Sequence, residues 1–166
     1  MSASLVSLAS LVNAFNPVTP QLRVAAIIVR GTQILLVEHH KRGECYWVLP
    51  GGRLKGLETL ATALRRELNE ELSLDARVGE LVIVSEMLAP DRHIVNLMFH
   101  AEIGESTEPR LDPSDPVLAG WQWVSTDQLP RLDFRPPIAE AVRAVIAENF
   151  AGRVRFLGDT WKPQDR

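Results

Sequence analysis

The chain has 166 residues, with 18 Lys and Arg against 21 Asp and Glu, a formal charge of -3 and a calculated pI near 5.8. That length suits one domain, the mildly acidic balance argues against a coat for bulk nucleic acid, and 46% apolar residues exclude wholesale disorder. One cysteine, Cys45, excludes a disulfide framework or a cysteine-rich zinc site, and the longest clean apolar run, Val24 to Val29, is too short to cross a membrane.

Residues 1–21 carry no charged side chain and place Leu5, Leu8, Leu11, Val12 and Phe15 at helix-like spacing before Pro17 and Pro20. They read as a leader, either a short amphipathic helix or a disordered arm. No Lys or Arg precedes Arg23, so the basic start of a secretory signal is missing and a cytoplasmic location is expected. Val24 to Val29, a turn at Gly31 and Ile34 to Val37 read as a hairpin. Trp47 to Leu49 is a short strand closed by Pro50-Gly51-Gly52. From Leu57 to Leu72 the apolar period changes from two to about 3.6, and Leu57, Leu60, Ala61, Leu64, Leu68 and Leu72 form one stripe of an amphipathic helix.

Strands are expected at Leu81 to Leu88 and Ile94 to Phe99, joined through Pro90-Asp91. Residues 103–120, rich in Gly, Pro, Ser and Asp, read as a long surface loop. Strand character returns at Trp121 to Val124. Pro136-Pro137 opens a second helix that buries Ile138, Ala141, Val142, Val145 and Ile146. The expected organisation is a leader at 1–21, a domain at 22–155 and a tail at 156–166. Strands and helices in this order make a mixed α/β domain, a sheet sandwiched between helices.

Charge is unevenly placed. Residues 22–56 hold Arg23, Arg30, Lys41, Arg42, Arg53 and Lys55 against Glu38 and Glu44, while the remainder is strongly acidic. A basic early third joined to an acidic remainder suits a site that holds an anion together with cations; solvated loops clustered by chance give the same pattern. The first predicted helix carries Arg65-Arg66-Glu67-Leu68-Asn69-Glu70-Glu71. At about 100° per residue, Glu67, Glu71 and Glu70 fall at roughly 0°, 40° and -60° around the axis, so the three carboxylates share one edge. Like charges at these spacings cost a helix a few tenths of a kcal/mol each. Hard divalent cations, Mg²⁺ or Mn²⁺, turn that repulsion into coordination.

Gly52, five residues, Glu58, seven residues, then Arg66-Glu67-Leu68-x-Glu70-Glu71-x-Ser73-Leu74 resembles the Nudix box, Gly-x5-Glu-x7-Arg-Glu-U-x-Glu-Glu-x-Gly-U, where U is a bulky aliphatic residue. The match spans Gly52 to Leu74 with one departure, Ser73 in place of glycine. Six fixed Gly, Glu and Arg matches arise by chance at roughly 1 in 10⁷ start positions. Tyr46 to Gly52, Trp121 to Val124 and Asp127 to Pro130 also look like this family, so the resemblance runs from about residue 22 to about residue 150.

The resemblance implies a Nudix-type α/β/α sandwich with a mixed β-sheet, and a Mg²⁺-dependent pyrophosphohydrolase (Mn²⁺ being the other candidate metal). Glu67, Glu70 and Glu71 match the family's metal-ligating or water-activating positions, Gly52 the backbone carbonyl that often completes the coordination. Arg66 matches the residue that braces the glutamates, and Glu58 a supporting one. At Ser73, where the family glycine ends the helix with positive φ, a Cβ costs about 1 kcal/mol and leaves the ligands untouched.

The expected partner is a small nucleoside diphosphate derivative. Pro90, 16 residues past Leu74, resembles the proline that ADP-ribose-type members of the family tend to carry, which slightly favours ADP-ribose or a similar sugar nucleotide with a (d)NTP close behind; a plain turn before Asp91-Arg92 accounts for it equally well. Arg23, Arg42 and Arg53 are the candidate phosphate contacts. Glu86 and Glu102 read as strand-edge surface residues, Tyr46, Trp121 and Trp123 as packing residues, and the four histidines lack metal spacing. A homodimer is the assembly suggested by analogy, with the leader as a candidate contact. The competing reading is a non-catalytic Nudix-like sensor that binds a nucleotide without cutting it.

Overall fold

The computed structural model describes residues 18–161. Residues 1–17 of the expected leader, helix or disordered arm, lie outside the described residues, and Gln21 is already in the first strand. Nine strands, one 3-10 turn and two helices follow: β1 Gln21–Ile27, β2 Val29–Arg30, β3 Gln33–Lys41, β4 Glu44–Val48, β5 Gly51–Arg53, α1 Leu60–Leu72, β6 Arg77–Ala89, β7 Arg92–Glu102, β8 Leu118–Ser125, the 3-10 segment Thr126–Arg131, α2 Ala139–Ala147 and β9 Arg155–Asp159.

The larger sheet has the order β5-β1-β7-β6-β9 and is mixed: β1 pairs parallel with β7 and antiparallel with β5, and β9 pairs parallel with β6. In the smaller sheet β3 is central, with β8 along one edge and β2 and β4 along the other. Alternate residues of the strands feed two apolar layers. Val24, Ala26, Ile28, Leu35 and Val37 meet Ala63, Leu64, Leu68 and Leu72 of α1. Ile27, Ile34, Leu36, Ile83 and Met98 meet Val142 and Val145 of α2. The result is the expected α/β/α sandwich.

Three differences from the sequence reading have an identifiable physical cause. Val24 to Val29 is not one arm of a hairpin. The run is apolar at every position, which suits a strand covered on both faces, and β1 pairs with β7 and β5. The expected hairpin is confined to the end of the run: Val29 and Arg30 fold back onto Ile34 and Gln33, and the Ile28 carbonyl accepts the Leu35 N–H at 3.0 Å. Second, α1 starts at Leu60, because Thr59 caps it with Oγ1 accepting the Thr62 N–H at 3.2 Å. Leu57, assigned to the stripe, is fully exposed in the preceding turn. Third, the expected tail at 156–166 begins inside β9, where Phe156 and Leu157 are in a strand beside β6. Leu157 packs into the α2 layer, and Asp159 pins the end by accepting the Leu88 N–H at 3.0 Å.

Ser73 ends α1 in the left-handed region, φ 55° and ψ 32°, its N–H bonded back to Asn69 and Leu68 carbonyls. The backbone thus adopts the conformation that favours glycine, with a serine in it. Ser73→Gly is expected to raise stability by about 0.5–1 kcal/mol, since the relieved strain exceeds the extra freedom of glycine in the unfolded chain. Urea melts of the two proteins measure it; an unchanged or lower midpoint at equal slope contradicts the strain.

Candidate active site

The site grows out of two neighbouring pieces of backbone. Pro50-Gly51-Gly52 leads into β5, which lies against β1 with Gly51 opposite Ala25 and Gly52 opposite Val24. Gly51 has φ 138°, and a side chain there would run into the Val24 carbonyl. At Gly52 a Cβ would run into the Glu67 carboxylate. Bare backbone at these positions is what lets α1 sit down on the strand with its acids first.

Arg66 organises those acids. Its Nε and Nη2 grip Glu58 at 3.0 and 2.7 Å, and Nη1 reaches Glu67 at 2.6 Å and Glu70 at 3.0 Å. Nη2 also donates to the Arg53 carbonyl at 3.0 Å. The planar fork of an arginine makes this set possible; a lysine has no such geometry. Glu58 is fixed from its other side by the Lys55 N–H at 2.6 Å. The hydrogen-bonded Arg66 guanidinium holds the Glu58 carboxyl far below the usual carboxylate range, at about 2. Glu58 in turn is the main reason the Arg66 guanidinium binds its proton even more tightly than usual.

Glu71 is arranged differently. Its Oε2 accepts the Gly51 N–H at 2.9 Å, and among the described residues no cationic group lies within ion-pair distance of it. Burial pushes its carboxyl up to about 7, with the charge of Glu67 adding to the rise and the Gly51 hydrogen bond and Arg23 opposing it. Among the described residues no three acidic, histidine or cysteine side chains converge as a ready-made metal cage. The hydrogen bonds give the reason: Glu67 and Glu70 turn to Arg66 while Glu71 turns to Gly51.

The donor set nevertheless fits a hard divalent cation. Three carboxylates on one helix edge, of which the half-buried Glu71 has no cationic partner among the described residues, leave negative charge that oxygen-seeking ions match.

The predicted arginines part company here. Arg23 reaches the site, its Nη2 3.5 Å from the Gly51 carbonyl. Arg53 lies opposite Arg23, and it is the Arg53 carbonyl that engages Arg66 while the side chain is exposed. Arg42 is exposed in the β3–β4 turn, and its charge is felt by Asp91 in the β6–β7 turn. Lys55 was not among the expected contacts, yet its Nζ stands 3.4 Å from Glu70 and 4.0 Å from Glu67. The excess of basic residues in the early third was the signal for it. His39 is half-buried in β3. Burial, and then the charge of Arg23, push its imidazole down to about 4; Arg23 and Asp115 act on both His39 and Glu71. Glu102 pairs with Arg77 on the surface, as expected of a strand-edge glutamate.

A NUDIX domain model matches residues 19–145. Phosphatase NudJ of Escherichia coli K12 is 29% identical over 127 residues, covering 75% of this chain and 82% of NudJ. The E. coli ORF135 protein shares the fold with a TM-score of 0.66 at 27% identity, over 80% of this chain and 95% of that one. MutT NUDIX hydrolase from Burkholderia pseudomallei gives 0.59 at 31% identity, over 68% and 88% respectively. With an acid-bearing helix seated on a glycine turn inside an α/β/α sandwich, the molecule is a hydrolase of phosphorus anhydrides. The chain belongs to the NUDIX family.

Glu58 supplies a sign test of the Arg66 cluster. Its carboxyl is depressed in the folded state, so its contribution to stability is complete above the ordinary carboxylate value of 4.5 and is lost as pH falls towards about 2. Glu58→Gln is therefore expected to lower the melting temperature above pH 5 and to flatten its fall between pH 4.5 and 2. Parallel melting curves for the two proteins across that window would show that the pair adds nothing.

Proposed function

We propose that the chain is a Mg²⁺-dependent pyrophosphohydrolase that splits a nucleoside diphosphate linked to another moiety. The observation that carries this reading is the division of the three acids: Glu67 and Glu70 are gathered by Arg66, and the half-buried Glu71 beside them has, among the described residues, only a backbone donor. In this reading Glu67, Glu70, Glu71 and the Gly52 carbonyl hold the divalent ion, Mg²⁺ first and Mn²⁺ second. When bound, such an ion supplies positive charge against the diphosphate and acidifies water at the reacting phosphorus. A carboxylate of the set accepts the proton of the attacking water. Arg66 and Glu58 hold the acids in register, and Lys55 and Arg23 add positive charge at the two sides of the set.

Substrate phosphates meet Arg23 first in this reading. Arg42 and Arg53, both exposed, are placed for outer contacts. ADP-ribose or a related sugar nucleotide is favoured, on the strength of Pro90 at the turn between β6 and β7, followed by the paired Asp91 and Arg92. A nucleoside triphosphate is the next class to test.

The test is product release from ADP-ribose, other sugar nucleotides, dinucleoside polyphosphates and (d)NTPs, each with Mg²⁺ and with EDTA. Turnover of one class is expected, abolished by EDTA and reduced by about 10²–10⁴-fold in Glu71→Gln or Glu70→Gln, the range lost when a group acting at the reacting centre is removed. Both variants should keep the wild-type circular dichroism spectrum. Undiminished turnover in both would end the assignment of these acids. A panel without turnover, in which a nucleotide still raises the melting temperature, would favour the sensor reading.

A further inference from the structure

The last turn of α1 is held by a segment far from it in sequence. Helix ends leave backbone carbonyls without intrahelical partners. Here the Glu71 carbonyl accepts the Asp112 N–H at 3.1 Å, and the Leu72 carbonyl accepts the Arg110 N–H at 2.8 Å. Both donors lie between β7 and β8 in a stretch outside any helix or strand, with Pro109 buried and Leu111 packed against the α1 layer. The stretch is thus bonded to the turn that bears Glu70 and Glu71.

What ties the stretch to the rest of the fold is Arg30. Its Nη2 donates to the Thr107 carbonyl at 2.7 Å and its Nη1 pairs with Glu108 at 2.7 Å. The guanidinium lies 4.3 Å from the centre of the Trp123 ring. Arg30 belongs to β2 and Trp123 to β8, both bonded to β3, so the arginine is based on the small sheet. Only an arginine can offer two parallel donors and a flat face at once. The path runs from the sheet through Arg30 to residues 107–108, then through Arg110 and Asp112 to the carbonyls of Leu72 and Glu71.

We propose that Arg30 is a positioning residue for hydrolysis: by clamping residues 107–108 onto the small sheet it fixes the C-terminal turn of α1, and with it the Glu71 carboxylate. Arg30 does not touch the carboxylates, and it acts through the 107–112 segment. The proposal rests on the reading of Glu71 given above.

The experiment compares wild type with Arg30→Ala, Arg30→Lys, Glu108→Gln and Glu71→Gln, using the panel substrate turned over fastest with Mg²⁺. Hydrogen exchange at the amides of Arg110 and Asp112 is followed in parallel. Arg30→Ala is expected to lower kcat about tenfold, as small misplacements of reacting groups do, with KM unchanged within about twofold and both amides exchanging at least about tenfold faster. Arg30→Lys should recover part of kcat. Glu108→Gln, which spares the Trp123 stack, should shift kcat and exchange the same way by less, and it serves if Arg30→Ala fails to fold. Wild-type kcat in Arg30→Ala with faster exchange would overturn the proposal, as would unchanged exchange, or a loss carried wholly by KM. Wild-type turnover in Glu71→Gln would overturn the reading of Glu71 itself, an outcome separable from any result at Arg30.

Discussion

One guanidinium holds the acidic face of α1 together. Glu67, Glu70 and Glu71 crowd one edge of a helix, and Glu67 is largely buried. Arg66 answers two of these charges and ties them to Glu58 and to the Arg53 carbonyl, so that loop, strand and helix meet at a single side chain. A buried charge that loses its partner is a far larger penalty than a surface pair is a gain. Arg66 is therefore better regarded as a condition for folding the site than as an added stabiliser.

The glycines work on the same problem by another route. Charge can be brought against backbone only if no side chain intervenes, and at Gly51 and Gly52 any Cβ meets either β1 or the Glu67 carboxylate. The pairing of β5 with β1 fixes those glycines, and the Gly51 N–H then becomes the donor for Glu71. The apolar layer of α1 supplies the force that presses the helix onto this turn. Leu64, Leu68 and Leu72 are fully buried on the face beside the acids. Hydrophobic burial thus does the seating, and the polar contacts determine the orientation.

The helix, its buried leucines and the Arg66–glutamate spacing were legible in the sequence because they are local: each is a repeat of three or four residues along one element. The α/β/α layering followed from element order. Most of what escaped prediction depends on partners distant in sequence. Nothing in Val24 to Val29 says that its pairing partner is β7 some seventy residues on, and the adjacent run Ile34 to Val37 made a hairpin the natural reading. In β9 the exposed Phe156 and the charged ends hide a strand whose partner is β6. Lys55 joined the site through a turn set by Glu58, and Arg110 and Asp112 joined through backbone N–H groups, for which residue identity carries almost no signal.

The acids also stand at the unfavourable end of their helix. The C-terminus carries the negative pole of the macrodipole, cations are favoured there, and the last turn of α1 contains none. Three effects therefore push against ionised carboxylates at one place: mutual repulsion, the helix pole and burial. Arg66 and Lys55 relieve Glu67 and Glu70, but neither is within ion-pair distance of Glu71, whose carboxyl burial first, and then the charge of Glu67, push up to about 7. Two of these effects reverse sign for a cation, since the carboxylates and the helix pole attract it, and burial, which disfavours any lone charge, is offset as cation and carboxylates pair. A site stabilised in this lopsided way gains most from positive charge placed next to Glu71, which is where the backbone of Gly51 and Gly52 leaves the helix closest to the strand.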